Sequence, residues 1–179
     1  MGTASCPSDD CDERPRNGLI ALYNFKEGAG DKVLDVSDVG TAIDLTIANP
    51  ANVSWINGCG LSINSSTVLE SAGAATKIID SVKATNAITI EAWVAPANTT
   101  QNGPARIVSV SDGSQDRNFT LGQDKTNYNI RFRTDGASST NNGYPSQNVS
   151  GLQAGQIQHV VYTWDGSTGA ESMLSLIHI

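Results

Sequence analysis

Apolar side chains in this chain recur at every second position over short stretches, each closed by glycine, proline, asparagine or aspartate. That is the period of a half-buried β-strand. The clearest case is residues 88–94, where Ile88, Ile90, Ala92 and Val94 alternate with Thr89, Glu91 and Trp93 before Pro96 ends the run. Weaker versions predict strands at 19–25 (LIALYNF), 33–36, 43–47, 60–63, 67–70, 106–111, 118–122, 128–134 and 158–164. Turn residues separate them, among them Lys26 to Gly30, Ser37 to Gly40, Asn49-Pro50 and Asn57-Gly58. Helical spacing is confined to residues 77–82 (KIIDSV), for which one turn is expected. About ten short strands with this punctuation predict an all-β sandwich or barrel and argue against an α/β fold.

The chain has 179 residues, enough for one domain with a real core. Eleven basic residues stand against 18 acidic ones, a formal charge of −7, which excludes a nucleic-acid binder relying on a Lys/Arg surface. No apolar run approaches the roughly 20 residues of a membrane-spanning helix, so no membrane insertion is expected. The first ten residues lack the basic and apolar regions of a signal peptide. Either the protein stays inside the cell or this is an internal piece of a longer chain, and both ends favour the second reading. Residues 1–17 read as a polar linker containing Cys6 and Cys11, which would close a local disulfide on export and leave Cys59 unpaired. A zinc site there lacks ligands. At the other end, residues 174–179 (LSLIHI) are what the codons CTG TCT CTT ATA CAC ATC encode, which resemble a transposase end used in sequencing libraries. Residues 174–179 are therefore expected to be adapter read-through, and the domain to continue beyond Met173.

Four blocks carry a family likeness: residues 22–30 (LYNFKEGAG) with Asp35-Val-Ser37 after them, 55–62 (WINGCGLS), 88–94 (ITIEAWV) and 159–166 (HVVYTWDG). In this order they resemble the LamG-like, concanavalin A-like lectin/glucanase jelly roll of bacterial extracellular proteins, over about residues 18–173. The resemblance implies a two-sheet antiparallel jelly-roll sandwich, here without its last strands. It also implies secretion or a cell-surface location, with further domains in the same chain.

The chemistry is sparse. Retaining glucanases need two carboxyl groups roughly 5–5.5 Å apart. None of the five glutamates, Glu13, Glu27, Glu70, Glu91 and Glu171, has an acidic neighbour at strand spacing on a predicted strand. No G-x-S-x-G elbow accompanies His159, so no catalytic residues are expected. Asp31, Asp35, Ser37 and Asp38 cluster after the first predicted strand, and the resemblance allows a structural Ca²⁺ there. The same residues suit ordinary loop capping. Asp112 and Asp116 form a weaker second cluster. By strand alternation Glu91 shares a face with Trp93, while Arg131 and Arg133 point away from the core with Asn129. Glu91, Trp93, Arg131, Arg133 and His159 are thus expected to form one outward strip for an anionic or polar saccharide, or a solvated face of cross-strand ion pairs. Tyr144, in the 135–147 loop, is a candidate for the rim. Five Asn-x-Ser/Thr sequons, at Asn52, Asn64, Asn98, Asn118 and Asn148, carry no weight in so Asn- and Thr-rich a chain. The expected function is a non-catalytic module that binds a glycan or a cell-surface protein. The alternatives are an adhesion spacer without a small ligand, or an accessory domain of a glycoside hydrolase.

Overall fold

The computed structural model describes residues 16–56, 60–135, 140–143 and 146–177. The chain divides into two compact units, Met1–Ser81 and Val82–Ile179.

In the first unit, β1 (Lys32–Val33), β2 (Leu45–Ile47) and β5 (Leu69–Ser71) form an antiparallel sheet in the order β1-β2-β5. β3 (Val53–Ile56) and β4 (Gly60–Ile63) form a separate antiparallel pair. Among the described residues, Val33 and Ile47 are the buried apolar side chains here. The strand expected at 19–25 does not form. Leu22 N–H donates to the Asp35 carboxylate at 3.2 Å, so a side chain takes the amide that a ladder partner would need. Val36 N–H still bonds Leu22 carbonyl at 2.9 Å, but Phe25 turns the chain away at φ 53.

The single helical turn expected at 77–82 is in fact a ten-residue helix, α1 (Thr76–Thr85), whose sequence crosses the division between the units. Ile78, Ile79 and Val82 lie on it at i, i+1 and i+4 and are half-buried. It ends where Asn86 adopts φ 53, while Asn86 N–H still reaches Val82 carbonyl at 2.8 Å, an asparagine in the left-handed terminating position.

The second unit is the antiparallel sandwich that the alternation predicted. One sheet has the order β10-β9-β8-β7, from β7 (Ala105–Ser111), β8 (Arg117–Asp124), β9 (Asn127–Phe132) and β10 (Ser146–Ser150). The other has the order β12-β11-β6, from β6 (Ala87–Val94), β11 (Gln158–Asp165) and β12 (Ala170–Ile177). Phe119, Leu121, Tyr128 and Ile130 line the inner face of the first sheet; Ile90, Val160, Tyr162 and Met173 line that of the second, all under 9% exposed. Phe132 bridges the layers, with ring centroids 6.1 Å from Tyr162 and 4.9 Å from Trp164. β10 falls partly inside the 135–147 segment expected to be a loop. Its sequence, SQNVS, carries one apolar residue, and its strand character comes from pairing with β9. Among the described residues no helix is long and apolar enough to cross a membrane.

Candidate functional site

The outer face of the three-stranded sheet collects part of the expected strip. β6 and β11 are paired so that His159 lies opposite Trp93 and Val161 opposite Glu91. Alternation turns Glu91, Trp93 and His159 away from the core, because Ile90, Val160 and Tyr162 face it. The Trp93 and His159 rings stack with centroids 4.3 Å apart and planes 7° from parallel. His159 Nε2 shares a hydrogen bond of 2.6 Å with Glu91 Oε1, which pins the imidazole in the stacked orientation. Trp93 remains 41% exposed although its indole is held in place. A fixed, accessible aromatic plane beside a carboxylate and an imidazole can cover the C–H face of a sugar and bond its hydroxyls.

Arg131 and Arg133 do not join this group, which corrects the expectation of a single strip. Arg131 lies on β9 of the opposite sheet, and Arg133 follows the end of that strand, exposed, with its N–H bonded to Asn118 carbonyl at 2.8 Å. Alternation gives the side of a sheet on which a residue lies, not the sheet to which it belongs, and outward faces of two stacked sheets look in opposite directions. Asn129, expected to point into solvent, is 3% exposed; it donates to Asn148 Oδ1 at 2.8 Å on that outer face. Tyr144 lies outside the described residues, as do Cys6, Cys11 and Cys59.

The outer face of the four-stranded sheet holds a second group of polar residues. The β7–β8 ladder slips twice: Arg106 pairs with Gly122 but Val108 with Leu121, and Val110 pairs with Phe119 but Ser111 with Arg117. Each extra residue, Ile107 on β7 and Asn118 on β8, resets the alternation. Arg106, Ser109, Ser111, Arg117, Thr120 and Arg131 come to share one face as a result. Simple period-two counting misses Arg117 for this reason, since it would place Arg117 inward with Phe119. The β7–β8 turn and residues 140–143 bond onto this face. Arg106 donates to Gly113 carbonyl at 2.6 Å, Arg117 to Ser114 carbonyl at 2.5 Å, and Arg131 to Asn142 Oδ1 at 3.0 Å. Gly143, at φ 68, sits so close that a Cβ would lie 3.0 Å from Arg131 Cβ, so this turn needs glycine.

The expected calcium loop is organised differently. Asp35 is buried and accepts from Leu22 N–H (3.2 Å), Ser37 N–H (3.1 Å), Ile43 N–H (3.0 Å) and Lys77 Nζ (2.5 Å). Lys77 also donates to Ser37 Oγ at 3.2 Å and Val39 carbonyl at 2.8 Å. All three ammonium protons are thus used, and the loop's own oxygens already surround a cation. Asp38 points elsewhere, 3.7 Å from Arg16 with its side chain 90% exposed, and Asp31 is exposed. Asp31, Asp35, Ser37 and Asp38 therefore do not fit a calcium ligand set. Asp112 and Asp116 are both exposed, joined by a backbone bond of 2.9 Å. Among the described residues no three His, Cys, Asp or Glu converge. Nothing local in the sequence pairs Lys77 with Asp35, 42 positions away.

Burial alone would push the Asp35 carboxyl up, but Lys77, the Ile43 amide, Ser37 and the Leu22 amide hold it at about 2, below its ordinary 3.8. A carboxyl lowered on folding stabilises the protein above its unfolded value, and that contribution is lost as pH falls through the folded one. Urea unfolding of the first unit should accordingly lose about 2 kcal/mol between roughly pH 4 and pH 2. Asp35→Asn should remove that part of the slope, and an unchanged slope would contradict the assignment.

A family model described as the concanavalin A-like lectin/glucanases superfamily matches residues 70–173, more than half of the chain. No curated protein and no solved structure matches it.

Proposed function

The chain belongs to the concanavalin A-like lectin/glucanases superfamily, whose domains often bind carbohydrate, and from that premise we propose that it is a non-catalytic saccharide-binding module. It would act as part of a longer exported or cell-surface protein. The observation that carries this reading is the Trp93–His159–Glu91 platform: an aromatic plane 41% exposed, stacked at 4.3 Å and braced by a 2.6 Å hydrogen bond. A non-catalytic role is supported by how the strand carboxylates are engaged. Glu91 holds His159, and Glu171 accepts from Tyr162 Oη at 2.8 Å and from the Gln147 side chain. The two lie on different strands and on opposite faces of their sheet, Glu91 opposite Val161 and Glu171 opposite Trp164, unlike the facing carboxyl pair of a retaining glycosidase.

Calorimetric titration with a panel of neutral oligosaccharides tests the reading. Trp93→Ala should weaken binding roughly tenfold or more, because stacking area is lost at the centre of the contact. His159→Ala should weaken it less, by freeing the indole to rotate. Equal affinity for wild type and Trp93→Ala would overturn the assignment, as would no binding across the panel.

A further inference from the structure

Among the described residues, the arginines on the outer face of the four-stranded sheet have no carboxylate partner. Arg117 is 6% exposed, yet Nε and Nη1 have no hydrogen-bond partner, and Arg131 Nε is also buried without one. Consecutive residues tie the three arginines together. The Arg106 and Arg117 guanidinium groups bond the carbonyls of Gly113 and Ser114, while the Arg117 backbone N–H bonds Asn141 carbonyl and Arg131 Nη1 bonds Asn142 Oδ1. Among the described residues no carboxylate forms an ion pair with any of the three, although Asp112 and Asp116 lie on the same turn. Burial and the fields of Arg131 and Arg106 push the Arg117 guanidinium below its ordinary value.

A buried guanidinium without an anion costs several kcal/mol, and neighbouring like charges add to it. Clustered guanidinium groups recognise carboxylate, sulfate and phosphate oxygens, and strongly perturbed charged groups gather at functional sites. We propose that this face is an oxyanion-binding site that takes the carboxylate or sulfate group of an acidic sugar. Arg131, half-buried, and Arg106, exposed, form its approachable rim, and Arg117 lies beneath them as fixed positive charge. Half-buried Asn142, bonded to Arg131 through its Oδ1, adds an amide group beside the rim. The net charge of −7 repels a dense polyanion, so an isolated acidic group is favoured over a nucleic acid or a uniformly sulfated chain. The sugar identity rests on the function proposed above; the oxyanion chemistry does not.

The test is the melting temperature of the full chain at constant ionic strength, with low-millimolar sodium glucuronate, sodium sulfate, neutral glucose or sodium chloride alone. Glucuronate and sulfate should each raise it by roughly 3–6 °C at about ten times Kd, and glucose should not. Arg131→Met should abolish the rise. Should that variant fail to fold, Arg106→Ala, at an exposed position, should at least halve it. A response to sulfate without glucuronate would mean an adventitious ion only and would overturn the acidic-sugar site. No rise with either anion, or a rise that survives both substitutions, would overturn the site altogether. Because neutral saccharides and Trp93 play no part in this experiment, its failure is separable from failure of the Trp93 platform.

Discussion

Replacing Lys77 by methionine should destabilise the first unit by about 3 kcal/mol or more, because it leaves the buried Asp35 carboxylate without its cation. The Asp35 side chain is fully buried and that of Lys77 only 13% exposed, so little water can take over. Three backbone amides, those of Leu22, Ser37 and Ile43, would remain bonded to the carboxylate, which keeps the loss toward the lower end of the range for broken buried pairs. The same three amides provide the readout. Their hydrogen exchange should accelerate in Lys77→Met and recover in part in the double variant Lys77→Met/Asp35→Asn, where the charge is gone as well. Unchanged protection in Lys77→Met would show that the loop is held by its backbone bonds alone. Measuring exchange residue by residue also avoids the mixed fluorescence signal of Trp55 in the first unit with Trp93 and Trp164 in the second.

In the second unit the largest loss is expected from Gln158→Leu. Gln158 is 1% exposed and lies at the start of β11 among apolar neighbours. Its Oε1 accepts from Tyr128 Oη at 2.9 Å and Gln153 N–H at 2.8 Å; its Nε2 donates to Gly151 carbonyl at 2.9 Å and Ser175 Oγ at 3.3 Å. Leucine fills a similar volume, so the change removes bonds more than packing. It strands the buried Tyr128 phenol at about 1–3 kcal/mol and costs less at the Gln153 amide and Gly151 carbonyl, which belong to exposed residues that water can reach. The Tyr128 hydroxyl is protonated at neutral pH, and burial, which raises it to about 12, widens that margin, so it is a buried donor that needs an acceptor. A total of about 2–4 kcal/mol in denaturant unfolding is expected on that count. Adding Tyr128→Phe should return about 1 kcal/mol by removing one stranded group. Strict additivity of the two substitutions would contradict the shared network.

How much of this was legible in the sequence depended on how local each cause was. β6 and β11 follow period-two alternation closely, so their existence, and the common face of Glu91 and Trp93, could be read directly. Residues 19–25 have the same apolar content, but Asp35 captures the Leu22 amide and the ladder never forms. β10 has almost no apolar pattern and is made a strand by β9. The site showed the same division. Trp93 and His159 could each be placed on an outward face because both alternate cleanly, but their pairing came from the β6–β11 register, and Arg117 was hidden by a bulge that reverses the count at Asn118. Lys77 was hidden by distance along the chain, although it is the cation that the oxygens of the Asp35 loop surround.

Chemical-shift mapping of the labelled chain with a neutral oligosaccharide tests the central claim most directly. The indole N–H of Trp93 and the amides of Glu91, Trp93 and His159 should move together and saturably, while those of Arg117 and Arg131 on the opposite sheet stay in place. Shifts confined to the other sheet, or none at all, would contradict a saccharide platform at Trp93.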